Sequence, residues 1–157
     1  MDINNDKINN CLVQTFEHTK EVRRNIGIFV QDLIHRGEVH DASKFEEPEL
    51  TVFAENTHKL AGVSFGTEEY KKLLEEVKPA IDHHYSKNRH HPEHWSNGVE
   101  DMNLIDLLEM IADWKAATKR NKNGNIRKSI EFNSEKYKFS PQLRRIFENT
   151  IREYFKE

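Results

Sequence analysis

The 157-residue sequence predicts an all-α fold of five to seven helices. Three observations carry that expectation. Apolar residues return every three or four positions through most of the chain, which is the spacing of one helix face. Several of these runs open on helix-start chemistry, with acidic residues in the first turn or a proline at the first helical position. No segment shows the strict alternation of a half-buried strand. A chain of this length can bury a real core, and one compact domain over residues 1–157 is expected.

From about Lys7 to Arg36, the residues Ile8, Leu12, Phe16, Val22, Ile26, Phe29 and Leu33 recur at helical spacing. Gly27 weakens the middle of this segment and allows a bend, and Gly37 supplies a stop. At ~100° per residue His18 projects within a quadrant of Val22, Ile26 and Phe29, at the edge of the expected buried stripe. A turn through His40-Asp41 follows. Glu46, Glu47 and Pro48 open the next helix, with Leu50, Phe53, Ala54 and Leu60 expected on its buried side. Gly62 to Gly66 reads as a loop, and Thr67 with Glu68 and Glu69 starts a third helix.

That helix places Tyr70, Leu73, Leu74, Val77, Ile81 and His84 on one face, with His83 pointing elsewhere. Pro79 is expected to kink or divide it. Tyr85 to Gly98 is polar and irregular and closes on an Asn97-Gly98 turn signal. From about Asp101 to Lys119, Leu104, Leu108 and Ile111 form an apolar helix face, flanked by Ile105, Ala112 and Ala116. KRNKNGNIRK reads as a basic, solvated loop, and a short helix follows to about Tyr137. Ser140-Pro141 caps a last helix with Leu143, Ile146, Phe147, Thr150, Ile151, Tyr154 and Phe155 on its apolar face.

Composition excludes several function classes. Charged residues make up 32% and hydrophobic residues 36%, a well-solvated but not disordered balance. The formal net charge is -3 and the basic residues are dispersed, which argues against a nucleic-acid backbone as main partner and leaves room for a local cationic pocket. Cys11 is the lone cysteine and fits a reducing compartment. No apolar run approaches the roughly 20 residues that span a bilayer, and the polar start is no signal peptide. A cytoplasmic protein with no membrane partner is expected.

The chemistry centres on His40-Asp41, an imidazole beside a carboxylate and two good donors for a borderline divalent metal. Five of the nine histidines fall between His83 and His94, a density that marks a site. Asp106, Glu109 and Asp113 stack at helical spacing, where like charges repel by a few tenths of a kcal/mol. Partly buried, each carboxylate would cost about several kcal/mol unless paired or bound to a cation. Asp106 reads as part of a solvated face. Asp113, among Ala112, Trp114 and Ala116, reads as a site residue. Trp95 and Trp114 read as core residues, with stacking on a base as the alternative.

A helix-borne histidine, a His-Asp pair after the next turn and a distant helix-borne aspartate resemble the HD-domain superfamily of metal-dependent phosphohydrolases. The matching residues are His18, His40, Asp41 and Asp113. The resemblance implies an HD-domain-like helical bundle. The run His40-Asp41-Ala42-Ser43-Lys44-Phe45 resembles an HDxxK variant in which the lysine faces the substrate phosphate. His83-His84 or His90-His91 correspond in that resemblance to paired histidines of a second metal. The GYP signature is absent and the histidine loop is differently spaced, so cyclic-dinucleotide specificity does not carry over. HDASKF, NRHHPEHW and LLEMIADW together also resemble a family of small uncharacterised phage and bacterial proteins, from His18 onward.

The expected metal ligands are therefore His18, His40, Asp41, His84, His90, His91 and Asp113, holding one or two ions of manganese, iron, cobalt, nickel or zinc. Such a metal lowers the pKa of water toward neutrality, so water attack on the phosphorus of a nucleotide or related phosphate ester is the expected reaction. Asp41, Lys44 and Glu109 are the candidate catalytic residues. Lys44 would neutralise developing phosphate charge, and Arg89, His90 and His91 would join it on the substrate, Arg89 as a bidentate clamp. Glu109, one turn before Asp113, would orient a ligand histidine or hold the attacking water. Two other readings compete: a dinuclear iron oxygenase on the same ligand set, and a non-catalytic nucleotide- or partner-binding module that keeps the metal as a staple.

Overall fold

The computed structural model describes residues 5–62, 67–120 and 124–155. Among them are six α-helices and no strand, so the fold is all-α, within the expected number of helices. None of these helices is long and apolar enough to cross a membrane. The chain divides into two units, Met1–Glu38 and Val39–Glu157.

The first unit is the body of α1, Asn5–Val39. The helix runs uninterrupted through Gly27 and Gly37, so neither glycine ends it. One glycine costs a helix interior roughly 1 kcal/mol relative to alanine, too little to break a ladder of this length. No residue of α1 is buried, and Leu12, Phe16, Ile26 and Phe29 are all exposed. His18 is exposed as well, not at the edge of a buried stripe.

In the second unit a 3-10 turn, Ala42–Phe45, leads to α2, Glu49–Gly62. The first turn of α2 is tied back by Leu50 N–H to the Glu46 carbonyl at 2.9 Å. Its buried positions are Glu49 and Asn56, while the expected core residues Leu50 and Ala54 are exposed. The helix is rotated by the pull of a polar contact, described below, over its apolar side. The side chain of Leu60 and the segment 63–66 lie outside the described residues.

Helix α3, Glu68–Lys87, packs against α2 and continues through Pro79 as a single helix. The proline forfeits one backbone hydrogen bond, and the buried face of Leu73, Val77, Ala80 and His84 holds the helix together across the gap. Leu74 is exposed, Ile81 is half-buried, and the side chain of Tyr70 lies outside the described residues.

Two short 3-10 turns, Pro92–His94 and Gly98–Glu100, carry the chain to α4, Leu104–Thr118. Asn103 caps α4: its side chain accepts from Ile105 and Asp106 N–H, and Asp106 accepts in return from the Asn103 N–H. The buried positions are Ile105, Asp106, Met110 and Ile111, whereas Leu104 is 74% exposed and Leu108 is also exposed. The helix thus turns inward the flank that carries its carboxylates, at the expense of two leucines.

After α4 the chain passes so close to itself that a Cβ on Gly124 would lie 1.9 Å from the Thr118 carbonyl oxygen, a place only glycine fits. Helices α5, Ile126–Lys136, and α6, Pro141–Tyr154, complete the unit. Lys138 takes the left-handed position after α5, at φ 53, and Phe139 N–H reaches back to the Ser134 carbonyl at 2.9 Å. Ser140 caps α6 as its sequence predicts. Met102, Met110, Ile111, Ile126, Ile130, Phe147 and Ile151 form the core. Trp114 stacks near Tyr137 and Phe139 at this core, and Ile146 and Tyr154 of the expected α6 face are exposed. Full burial of an Ile or Phe side chain contributes about 1.5–3 kcal/mol, so this cluster anchors α4, α5 and α6.

Candidate metal centre

Four elements of the second unit deliver the site: the turn after α1, the N-terminus of α2, the C-terminal end of α3 with the following loop, and the inward flank of α4. Asp41 sits at the turn in left-handed backbone conformation, φ 57 and ψ 21. Aspartate is among the few side chains that visit this region with little penalty. The conformation breaks α1 from the 3-10 turn and leaves His40 and Asp41 facing α3 and α4.

Asp41 is the hub. Its Oδ1 lies 3.3 Å from His84 Nε2 and 3.6 Å from His90 Nε2. Its Oδ2 accepts from Lys44 Nζ at 2.5 Å and lies 3.6 Å from His40 Nε2. His40 Nε2 is in turn 3.6 Å from Asp113 Oδ1. His84 Nε2 and His91 Nε2 are 2.9 Å apart. Two groups of ligand atoms converge within 4.8 Å: Asp41, His84, His90 and His91, and then His40, His90 and Asp113.

A shell of carboxylates orients these rings from behind. Glu109 Oε1 lies 2.9 Å from His40 Nδ1 and 3.1 Å from His90 Nδ1. Glu49, fully buried, sets one oxygen 2.7 Å from His83 Nδ1 and the other 2.8 Å from His84 Nδ1. A carboxylate that accepts the Nδ1 proton leaves Nε2 with its lone pair, and the Nε2 atoms of His84 and His90 face Asp41. The lone pairs therefore point at one another with too few protons among them. Asp41 Oδ1 and His90 Nε2 are buried and have no hydrogen-bond partner among the described residues.

Protonation in the metal-free chain reflects the same crowding. Hydrogen bonds to Asp113 and Glu109 outweigh the desolvation of His40 and raise its pKa to about 10. Burial works to raise the Asp41 carboxyl but is overcome by Lys44, then His40 and His84, and the pKa falls below its ordinary value. Asp113 is likewise lowered, burial being outweighed by His40, His90 and His91. Desolvation lowers His84 despite Glu49, and desolvation with the neighbouring His90 and His84 brings His91 down to about 4. Two neutral imidazoles beside ionised carboxylates form a donor set ready for a cation.

Of the residues expected at the site, His40, Asp41, His84, His90, His91 and Asp113 are brought together. His18 is exposed on α1, in the first unit. Lys44 stands at the edge of the cluster on Asp41. Arg89 does not reach toward it: Nε and Nη2 hold Asp106 at 3.1 and 3.2 Å, and its guanidinium lies 4.5 Å from the Trp95 ring centroid. The expectation of a phosphate clamp at Arg89 gives way to a structural role, because a fully buried capping carboxylate needs a cation partner. Asp106, expected on a solvated face, is that carboxylate.

Sequence reasoning missed Glu49 altogether and sent His83 elsewhere, although both meet in one contact. The only signal was an acidic residue directly after a proline at a helix start, which reads equally well as ordinary helix-dipole chemistry. The loop carrying His90 and His91 is tied down by Glu93, which accepts from Lys136 Nζ at 3.0 Å and Tyr137 Oη at 2.9 Å. His94 does not join the cluster; its Nδ1 bonds the Tyr85 carbonyl at 2.9 Å.

No curated protein and no solved structure matches the chain. Residues 7–153 match the family described as Family of unknown function (DUF5662), and the chain belongs to it.

Proposed function

We propose that the chain is a metal-dependent phosphohydrolase acting on a nucleotide or related phosphate ester. The observation that carries this reading is the buried, partnerless pair Asp41 Oδ1 and His90 Nε2, 3.6 Å apart at the meeting point of four histidines and two aspartates. Burying such atoms without a partner costs roughly 1–3 kcal/mol each, which a divalent cation would recover. The donor set of imidazole and carboxylate suits manganese, iron, cobalt, nickel or zinc.

His84, His90 and His91 with Asp41 Oδ1 would hold one ion. His40 and Asp113 would hold a second, and Asp41 Oδ2 faces that side. A bound divalent ion supplies Lewis acidity and water activation at neutral pH. The remaining work falls to the chain. Glu109 holds the Nδ1 protons of His40 and His90 away from the centre. Lys44 places a mobile positive charge at the rim, where it can leave Asp41 for an anionic ester oxygen and stabilise charge as water displaces the alcohol.

The test is metal content of the purified protein, followed by phosphate release from mono- and diesters by the parent, Asp113→Ala and Lys44→Ala at matched metal loading. Activity in the parent that falls in both variants supports the reading. Equal rates in all three, or no turnover by the parent with any of the five metals, overturns it. Retained iron with substrate-dependent oxygen uptake would point instead to an oxygenase.

A further inference from the structure

The feature that the proposed chemistry leaves unused is Glu49. Its carboxylate is 0% exposed, yet among the described residues its ion-pair partners are imidazoles and not lysine or arginine. Its partners are two consecutive histidines of α3. Each carboxylate oxygen lies on one ring nitrogen, 2.7 Å from His83 Nδ1 and 2.8 Å from His84 Nδ1. An apolar side chain could fill the α2–α3 contact at less desolvation cost. The charge itself therefore has a use.

We infer that Glu49 is a positioning residue for the metal: its buried carboxylate fixes the tautomer of His84 so that Nε2, unprotonated, faces Asp41 and His91. The inference rests on the metal-centre reading above.

A carboxylate set between two imidazoles accepts from both, so the 2.8 Å contact to His84 places the ring proton on Nδ1. The surroundings otherwise favour the opposite tautomer. The two hydrogens of Asn88 Nδ2 go to Ser43 Oγ at 2.7 Å and the His84 carbonyl at 2.8 Å, and the Ser43 hydroxyl, which accepts there, has its own hydrogen to give 3.4 Å from His84 Nδ1. Without Glu49, the Ser43 hydroxyl would donate to Nδ1 and the ring proton would move to Nε2. That proton would point at Asp41 Oδ1, 3.3 Å away, and at His91 Nε2, 2.9 Å away, in the space a cation needs. His83 completes the device from the other side. By donating to the second oxygen at 2.7 Å it holds the carboxylate plane so that one oxygen stays on His84.

The test compares Zn2+ affinity, by competition with a chromophoric chelator, in the parent, Glu49→Ala, Glu49→Gln, His84→Ala and the double variant Glu49→Ala/His84→Ala. Glu49→Ala should weaken Zn2+ binding about 10–100-fold. Glu49→Gln, which keeps an acceptor oxygen, should recover part of that loss. In the His84→Ala background Glu49→Ala should cost nothing further, because its effect passes through that ring. Undiminished affinity in Glu49→Ala, or the same loss repeated on top of His84→Ala, overturns the inference. Should Glu49→Ala fail to fold, long-range 1H–15N spectra of the unaltered protein decide. A His84 protonated on Nδ1 supports the assignment, and one protonated on Nε2 overturns it. A parent that binds no Zn2+ or other divalent metal brings down the metal-centre reading itself, and this inference with it.

Discussion

Arg89 grips Asp106 through Nε and Nη2 at 3.1 and 3.2 Å, joining the histidine loop to the first turn of α4. Asp106 is fully buried, so the pair is half in solvent on the arginine side and wholly out of it on the aspartate side. Arg89→Ala should therefore lower stability by about 1.5–3 kcal/mol, the usual loss for a hydrogen bond to a charged group. Urea denaturation of the metal-free protein measures it. The Michaelis constant for a phosphate ester should stay unchanged. A large rise in that constant with unchanged stability would return Arg89 to the substrate.

Glu109 serves two rings at once, so its loss should reach both halves of the centre. Glu109→Ala should weaken Zn2+ binding about 10–100-fold, the range for removing the carboxylate behind a ligand histidine. Isothermal titration shows whether one step or both are affected. A variant that loses only the His40–Asp113 step, with the step at His84, His90 and His91 untouched, would mean that Glu109 does not orient His90.

The charge state of His40 gives a pH dependence with a definite sign. Its folded pKa is about 10, above the roughly 6.5 of an unfolded histidine, with Asp113, Glu109 and Asp41 facing it. The folded metal-free state therefore binds the extra proton between these values. This stabilisation is fully present below about 6.5 and is lost as pH rises through 10. His91, brought down to about 4, acts in the opposite sense and penalises the fold as pH drops below its unfolded value. Metal-free protein should lose stability on going from pH 7 to 10 more steeply than His40→Gln does. Parallel curves for the two would show that His40 is not held protonated.

Lys44 is a cation held on Asp41, beside the proposed metal site. Its removal frees Asp41 Oδ2 and takes away a repelling charge, so Lys44→Ala should bind Zn2+ about fivefold more tightly, roughly 1 kcal/mol. Chelator competition reads this directly. Weaker binding would place Lys44 among the residues that build the centre, not those that act at its rim.

How far the sequence disclosed this arrangement depended on the kind of residue. The helices were legible because periodicity and caps are local: Ser140-Pro141, Thr67 with its acidic turn, and the α5 stretch all stand where they were expected. The cluster of His40, Asp41, His84, His90, His91 and Asp113 was legible because imidazoles and carboxylates are rarely concentrated without purpose. The buried faces were not. On α4 an apolar criterion chose Leu104 and Leu108, but the helix turns inward the side of Asp106 and Glu109, whose cation and imidazole partners come from the loop before it and from the turn at His40. On α2 the same criterion chose Leu50 and Ala54 over Glu49. In both cases a polar contact made by residues distant in sequence overrode the local hydrophobic pattern, and no spacing rule carries that information.

The left-handed turn at Asp41 sets how much sequence variation this position can accept. Two demands meet there, one on the main chain and one on the side chain. Asparagine and glycine satisfy the first, since each adopts φ near 57 cheaply, but neither brings an anion. Glutamate satisfies the second and strains the first. In a saturation library at this codon, screened once for folding and once for metal uptake, the two sets of survivors should overlap in a single letter.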